Sequence, residues 1–323
     1  MPGKQGRLLT SRHQHLRGYF YIAAATLCWG VAATLGRAAF TGRLLPGGES
    51  LPPIDALVLS QTRTSFAFLL LLPVLLARRG VGKLKITWRE FGAITVYGVI
   101  GQAATNFFYY TAIERTSVAT AIIIQYTAPV WVLLYLAARD RARPTARKLA
   151  AVALAVAGSA LVINIFTSGI ARDHYGLVAA FLSALTFAFS NLWGHYLLKS
   201  HDRWTVLLYT TFTAGLLWLA INPPGKLLAL HLTGTQWLLL VGFSVVSVLV
   251  PLGFYYAGLQ LLEPMSAVVA SCLEPVFAIA IAALALGETM QSVQVLGIAL
   301  VLAAIILVQT PERQPVEPVE PFE

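Results

Sequence analysis

Residues 108–129 read FYYTAIERTSVATAIIIQYTAP, and residues 254–275 read FYYAGLQLLEPMSAVVASCLEP. In both stretches a Phe-Tyr-Tyr triplet is followed 19 residues later by a proline inside an apolar run. A shift of 146 residues superimposes the two, and it needs no gap from residue 108 to residue 162. Apolar segments often match by chance, but a triplet and a proline at one spacing are not expected twice. The pattern therefore indicates a duplicated membrane unit.

The composition is that of a membrane protein. The chain has 323 residues, of which 57% are hydrophobic and 11% are charged, whereas soluble domains average about 25% charged residues. Ten helices of about 20 residues would fill roughly 60% of such a chain. A soluble enzyme, a secreted disulfide scaffold and a disordered protein are excluded. Cys28 and Cys272 both lie within apolar runs and read as small buried side chains.

Apolar runs of a length that spans a bilayer follow one another along the chain. The segment before the first run lacks the short apolar core and the cleavage site of a signal peptide, so we expect the first run to be retained. The predicted spans are 19–40, 55–77, 90–113, 117–138, 146–166, 175–198, 204–222, 236–260, 265–286 and 291–309.

The basic residues predict how the chain is oriented. If the N-terminus is cytoplasmic, the cytoplasmic segments hold 17 of the 23 Lys and Arg residues, the opposite loops hold four, and Arg37 and Arg63 lie within spans. Cytoplasmic loops carry an excess of Lys and Arg, so we expect both termini in the cytoplasm. The net charge of +9 then reflects topology, and no nucleic-acid partner is expected.

Each copy of the duplicated unit contains five spans, which is an odd number. The second copy must therefore enter the membrane from the other side, giving an all-α fold of ten transmembrane helices in two inverted repeats. Such repeats are typical of secondary transporters with a site near the midplane. The predicted parts are a basic cytoplasmic N-terminus (1–18), a first repeat (19–166), a linker (167–174), a second repeat (175–309) and a disordered, acidic, proline-rich tail (310–323).

Short motifs follow one another in a characteristic order in both halves of the chain. They are Trp29-Gly30, Arg63 on an apolar span, Ala112–Ala119, Ala128-Pro129, Leu273–Phe277, Leu286–Glu288 and Leu296–Leu300. In this order they resemble the EamA-type exporters of the drug/metabolite transporter superfamily, from about residue 17 to residue 309. The resemblance implies ten helices in two EamA-like repeats, metabolite export and the inner membrane of a bacterium. One departure is Ala142, which stands where Glu288 aligns.

Two charged residues inside spans are the sharpest candidates for function. An ionisable group at the bilayer centre is costly and is a functional candidate by default. Glu274 reads either as a proton site or anchor for a substrate amine, or as a structural partner of Arg63 or of backbone freed by Pro275. Arg63 reads either as a partner for a substrate carboxylate or as the counter-ion of Glu274.

Polar and aromatic side chains on the spans outline a cavity with little charge. An i, i+4 stripe on the third span is one part of it, although interhelical hydrogen bonding explains such a stripe equally well. The remaining aromatic candidates read either as stacking surface or as interface belts. The cavity candidates are Trp29, Tyr97, Gln102, Asn106, Tyr110, Gln125, Trp131, Ser190, Trp193, Ser244 and Ser247, and the hinge candidates are Pro129, Pro251 and Pro275.

A neutral, aromatic cavity favours amphipathic solutes, most of all apolar or aromatic amino acids. Phosphates call for clusters of Arg or Lys, and the candidate lining has none. We expect a uniporter or a proton-coupled exporter working by alternating access, with the lipid bilayer and a small solute as its only evident partners. No cofactor, metal or obligate protein partner is indicated.

The sequence is less consistent with an enzyme than with a transporter. An intramembrane enzyme would need a nucleophile with a base in reach or a His-Glu-x-x-His helix, and the sequence has neither arrangement. The alternatives that stay open are export of other metabolites or drugs, and a channel or non-transporting receptor.

Overall fold

The structure is a computed structural model that describes residues 4–40, 54–141, 143–164, 173–286 and 291–309. In these ranges all regular secondary structure is helical, so the predicted all-α class is confirmed. Seven of the helical stretches are long and apolar enough to cross a membrane by length and composition.

Ten long helical stretches follow one another, separated by short loops and by the residues outside the described ranges. Two shorter elements, a one-turn 3-10 helix (Val81–Leu84) and a short helix (Pro224–Leu228), lie between them. The first half holds α1 (Lys4–Phe40), α2 (Ala56–Arg79), α3 (Trp88–Val96, Tyr97–Ala104 and Thr105–Arg115), α4 (Val118–Gln125 and Ala128–Asp140) and α5 (Ala146–Val162). The second half holds α6 (His174–Ser200), α7 (Arg203–Ile221), α8 (Gly234–Ser244, Val245–Leu249 and Val250–Leu261), α9 (Pro264–Ser271 and Leu273–Leu286) and α10 (Ser292–Gln309).

The helices begin where short polar side chains cap their first backbone N–H groups. A side-chain oxygen before the first turn replaces the hydrogen bond that those groups lack. Thr87 and Thr233, which precede α3 and α8, both complete a capping box with Glu90 and Gln236. The other caps are Asp55, Ser117, Thr145, Asp173 and Asp202.

The third and fourth helices of each half share the same irregularities. α3 and α8 each contain a π-helical segment, Tyr97–Ala104 in one and Val245–Leu249 in the other. α4 is interrupted at Tyr126–Thr127 and α9 at Cys272. Under the 146-residue shift the two π segments overlap, and the two interruptions coincide.

Packing between the helices follows a two-fold relation. α1 packs on α8 and α9, while α6 packs on α3 and α4; α2 pairs with α7, and α5 pairs with α10. The same relation holds in detail for the first helices, because Gly18 lies against Leu262 and Gly176 lies against Thr116. Gly18 and Gly176 are 158 residues apart. The same shift of 158 residues relates the rest of α1 to α6, and it carries Trp29 to Phe187.

Helices that correspond to each other run antiparallel, as an inverted repeat requires. Arg79 at the end of α2 forms an ion pair with Asp202 before α7. At the other end, Gln61 Nε2 donates to the Asn222 carbonyl at 2.8 Å, and Asn222 Nδ2 donates to Gln61 Oε1 at 2.6 Å. We call the end of the bundle that carries Arg79 and Asp202 the basic end, and the end that carries Gln61 and Asn222 the opposite end.

Candidate functional site

A cavity of about 50 Å³ lies in the middle of the bundle, between the two halves. Helices α1, α2, α3, α4, α6, α8 and α9 all contribute side chains to its wall. Nine of the residues selected from the sequence line it: Trp29, Arg63, Gln102, Asn106, Tyr110, Gln125, Ser190, Ser247 and Glu274.

Glu274 places a carboxylate in this wall from α9. Its side chain is buried, with 2% of the residue exposed. The hydroxyl of Tyr109 donates to Oε1 at 3.0 Å, and the hydroxyl of Tyr126 donates to Oε2 at 2.6 Å. Both oxygens of Glu274 therefore act as acceptors. The two tyrosines belong to the first half, so Glu274 also ties the halves together.

Arg63 enters the cavity from α2 and is held by different groups. Its Nη2 donates to the Ser247 carbonyl at 2.5 Å, and Cζ lies 4.9 Å from the ring centre of Tyr110 and 5.8 Å from that of Phe243. The faces of aromatic rings attract a cation. Ser247 lies in the π segment of α8, four residues before Pro251, and a proline has no N–H to bond the carbonyl four residues back. Pro251 thus leaves that carbonyl free for Arg63.

The cation and the anion share the cavity without a direct ion pair. Within the described residues, the ion pairs with an N–O separation of at most 4.0 Å do not include Arg63 with Glu274. The structural reading in which each residue neutralises the other by contact is therefore not what the structure shows. Neutral neighbours contact both charged groups, and both groups border the same space.

The polar stripe of α3 faces α6 at the basic side of the cavity. Gln102 Nε2 donates to Ser190 Oγ at 3.2 Å and to Tyr97 Oη at 3.3 Å. Asn106 Nδ2 donates at 2.6 Å to the Gln102 carbonyl, which lies in the π segment. Tyr97 is fully buried behind this layer and is not part of the cavity lining.

One wall of the cavity is aromatic. The rings of Trp29 and Tyr255 have centroids 5.0 Å apart, and Phe187 lies 6.4 Å from Trp29 and 6.3 Å from Tyr255. The Tyr255 hydroxyl donates to Asn191 Oδ1 at 2.5 Å, which fixes the ring. The wall thus offers a large apolar surface next to the two charged groups.

Several buried polar atoms at the cavity lack a hydrogen-bond partner in the described part of the chain. Buried polar atoms are almost always paired, so unpaired ones mark places where water or a ligand binds. These atoms are Arg63 Nε, Thr105 Oγ1, Gln125 Oε1 and Ser247 Oγ.

The remaining predicted residues lie away from the lining. Trp131 packs edge-on against Phe181 at 5.5 Å, and Trp193 Nε1 donates to the Ala93 carbonyl at 3.0 Å. Ser244 is buried one turn from the cavity. The hinge candidates are Pro129 and Pro275, which follow the interruptions of α4 and α9, and Pro251, which follows the π segment of α8. Ala142, Glu288 and the tail from residue 310 fall outside the described residues.

The candidate residues do not include those that hold them in place, although Tyr126 and Tyr255 stand out in the sequence as polar aromatic residues on the fourth and eighth spans. Tyr109 and Tyr126 bind Glu274, while Phe187 and Tyr255 complete the aromatic wall. Tyr109 and Tyr255 are the middle residues of the repeated Phe-Tyr-Tyr triplet, so the repeat itself contained a signal for two of the four.

The comparison with protein families decides the identity. The model of the EamA-like transporter family matches residues 16–164 and again residues 174–310. The chain belongs to the EamA-like transporter family. The central cavity therefore belongs to a multi-pass membrane transporter.

Two curated relatives are themselves transporters. An uncharacterized transporter of Archaeoglobus fulgidus is 28% identical over 257 residues, which is 78% of this chain and 86% of that protein. The uncharacterized inner membrane transporter YicL of Salmonella typhimurium is 24% identical over 225 residues, or 69% of this chain and 74% of that protein.

A solved crystal structure has the same fold. It superimposes with a TM-score of 0.68 at 18% identity and covers 90% of this chain and 96% of the other. At that identity the likeness concerns the fold alone. In the described residues no group of three or more His, Cys, Asp or Glu side chains is arranged to hold a metal ion.

Proposed function

We propose that this EamA-like transporter exports amino acids with apolar or aromatic side chains, by alternating access through the central cavity. The observation that carries the proposal is that one buried cation and one buried anion border a single cavity without contacting each other. The zwitterion of an amino acid carries a carboxylate and an ammonium group that match this cation and this anion, and its side chain can contact the aromatic wall.

Arg63 is the proposed partner of the solute carboxylate. It is the one cationic side chain among the described lining residues, and its Nε has no hydrogen-bond partner there. A guanidinium binds carboxylates in a forked geometry. A single cation suits one carboxylate better than a phosphate.

Glu274 is the proposed partner of the solute ammonium. Its two oxygens each accept one tyrosine hydroxyl, and a carboxylate has further lone pairs available. An ammonium group that reaches it would form a charge-assisted hydrogen bond.

Trp29, Phe187 and Tyr255 are the proposed contact for the solute side chain. Aromatic rings prefer offset or edge-on partners, and they present apolar surface to aliphatic groups as well. This wall supports a preference for apolar and aromatic side chains over charged ones.

The volume of the cavity supports alternating access. Ligand pockets usually measure roughly 300 Å³ or more, whereas this cavity measures about 50 Å³. The proposed solute therefore has to bind in a more open conformation than this one, which supports a cycle between conformations. Hydrogen bonds at the opposite end and an ion pair at the basic end hold α2 against α7 in the present one.

The proposed setting is the inner membrane of a bacterium with both termini in the cytoplasm. The excess of Lys and Arg in the segments of the basic end supports this orientation. The inner membrane relative in Salmonella typhimurium supports the location.

Counterflow into proteoliposomes tests the proposal. Purified protein is reconstituted with an unlabelled amino acid inside, and labelled amino acids are added outside one at a time. We expect saturable uptake of apolar and aromatic amino acids. Glu263→Gln removes an exposed carboxylate in the turn before α9 and serves as the charge control for Glu274→Gln.

The other possible outcomes would overturn the proposal. Uptake of none of the amphipathic amino acids would point to another metabolite or drug. Flux that fails to saturate would indicate a channel instead of a carrier, and the absence of any flux would favour a non-transporting receptor.

A further inference from the structure

Two buried aromatic pairs lie along α3 and α8, one on each side of the cavity. Tyr110 and Phe243 meet edge-on with ring centroids 6.3 Å apart, and Tyr97 and Tyr256 meet at 5.8 Å. Each helix supplies one ring to each pair. The cavity residues Gln102 and Ser247 lie between the pairs along their helices.

The inverted repeat relates the two pairs to each other. A shift of 146 residues carries Tyr97 to Phe243 and Tyr110 to Tyr256, so each pair maps onto the other. Because α3 and α8 run in opposite directions, the first pair of rings lies toward the opposite end of the bundle and the second toward the basic end. All four rings are at most 5% exposed, since Tyr97 and Tyr256 are at 0%, Tyr110 at 2% and Phe243 at 5%.

A glycine of the repeat supports each pair. An added Cβ at Gly36 of α1 would lie 2.6 Å from Tyr110 Cε1, and an added Cβ at Gly194 of α6 would lie 2.7 Å from Tyr97 Oη. Gly36 and Gly194 are 158 residues apart, which is the separation that relates α1 to α6. Both rings therefore close against a helix that has no side chain at the point of contact.

We propose that Tyr110–Phe243 and Tyr97–Tyr256 are the two gates of the transport pathway, and that they open in turn on opposite sides of the membrane. The pairs lie on the two sides of the cavity along α3 and α8, one toward each end of the bundle. Symmetry between the gates is what alternating access requires, because the two halves exchange conformations when the access side changes.

Different side chains hold the two gates closed, and we call these side chains the latches of the gates. Arg63 lies over both rings of the opposite-end gate, while Gln102 and Ser190 donate hydrogen bonds to the hydroxyl of Tyr97 in the basic-end gate. Arg63, Gln102 and Ser190 all border the cavity. A solute that binds any of them competes with a latch, so occupancy of the cavity would loosen a gate.

Thiol labelling from each side tests the gates. Ala32→Cys places a probe on the cavity wall in a chain that also carries Cys28→Ala and Cys272→Ala. An impermeant methanethiosulfonate is added to spheroplasts, which expose one face of the membrane, or to inverted vesicles, which expose the other. No solute is present.

Gly36→Ala and Gly194→Ala form the matched pair of variants. Each added methyl lies too close to one gate ring and forces that ring away from its preferred rotamer. The free energy of such an off-rotamer ring predicts about a threefold or larger change in the rate of labelling. We expect Gly36→Ala to speed labelling from the face at the opposite end and Gly194→Ala to speed it from the face at the basic end. Tyr97→Phe, which keeps the ring and removes the latched hydroxyl, should act like Gly194→Ala.

Equal changes from both faces, or no change in variants that still elute as a single peak, would overturn the gates. Should the glycine variants fail to fold, Tyr97→Phe still tests the basic-end gate, because its ring keeps the native shape; unchanged labelling from the basic-end face would overturn the proposal. The inference rests on the proposed function only in requiring that something passes through the cavity. A wrong solute class leaves the labelling result intact, whereas correct labelling without amino-acid flux refutes the proposed solute alone.

Discussion

Arg63 stays charged inside the bundle because several neutral groups replace its water. Ser247 offers a carbonyl oxygen, and two aromatic rings offer their faces. Burial of an unpaired charge would be far more costly. The guanidinium is thus anchored on one side and remains able to bind a carboxylate from the cavity.

Glu274→Gln is the first test at the scale of single residues. The amide has nearly the same shape and can still accept a tyrosine hydroxyl, but it has no charge to attract an ammonium. We expect the KM for amino acids to rise about tenfold or more, since a hydrogen bond to a charged group is worth about 1.5–3 kcal/mol. Counterflow kinetics measure this change.

A solute without its amine is the control for that variant. The carboxylic acid that corresponds to the same amino acid should compete equally well with both proteins. Glu263→Gln should leave the KM unchanged. An unaltered KM for the amino acid in the Glu274 variant would contradict the role of Glu274.

Tyr126→Phe tests the bond that orients Glu274. It removes the donor at 2.6 Å from Oε2, and interhelical hydrogen bonds in membranes are worth about 1 kcal/mol. We expect unfolding in mixed detergent to become easier by about that amount, and by less when Glu274→Leu, which leaves no acceptor for the hydroxyl, is already present. Tyr135→Phe on the same helix, at a ring that is 50% exposed, should have no effect. Equal losses in both backgrounds would show that the hydroxyl and the carboxylate do not interact.

At the scale of elements, a proline in α8 explains why Arg63 finds an acceptor. Pro251→Ala would supply an N–H that competes for the Ser247 carbonyl. We expect the solute affinity to fall although every cavity side chain is retained. Pro73→Ala in α2, at an exposed position, is the matched control and should transport normally. Unchanged affinity in the Pro251 variant would show that the carbonyl does not need the proline.

The crossing of α5 and α10 depends on two glycines. An added Cβ at Gly297 would lie 2.7 Å from the Gly158 carbonyl and 2.5 Å from the Val162 nitrogen, which are backbone atoms that cannot turn away. Gly297→Ala should therefore destabilise the protein by about 1–3 kcal/mol. At Gly242 nothing lies within 4 Å of an added Cβ, so Gly242→Ala should leave stability unchanged or raise it. Equal behaviour in detergent unfolding would contradict the close crossing.

The helices themselves were largely predictable from the sequence. Apolar length located the described helices to within a few residues, because a helix in lipid must satisfy its own backbone. The exception is α1, which begins at Lys4 although the predicted span begins at residue 19. The π segments were not predictable, because α3 forms one without any proline and a proline such as Pro251 permits several ways to rearrange a helix. The sequence identified Arg63 and Glu274 as a cation and an anion in spans but left their pairing open, because contact between distant helices depends on packing. Likewise, Trp131 and Trp193 were indistinguishable from cavity aromatics until their helix faces were known.

At the scale of the whole molecule, ten helices and the charge asymmetry predict both termini on the cytoplasmic side. A fluorescent protein fused to either terminus should fluoresce, and alkaline phosphatase fused to either should be inactive, because each reporter works on only one side of the membrane. Active phosphatase at either terminus would contradict the orientation.

The central claim is that one cavity, in the middle of the bundle, binds both charged groups of an amino acid. Competition in counterflow tests it most directly, using an aromatic amino acid, the same molecule without its amine, and the same molecule without its carboxylate. We predict that the intact zwitterion competes at least about tenfold better than either analogue, as expected for the loss of one charge-assisted bond. Equal competition by all three would contradict the claim.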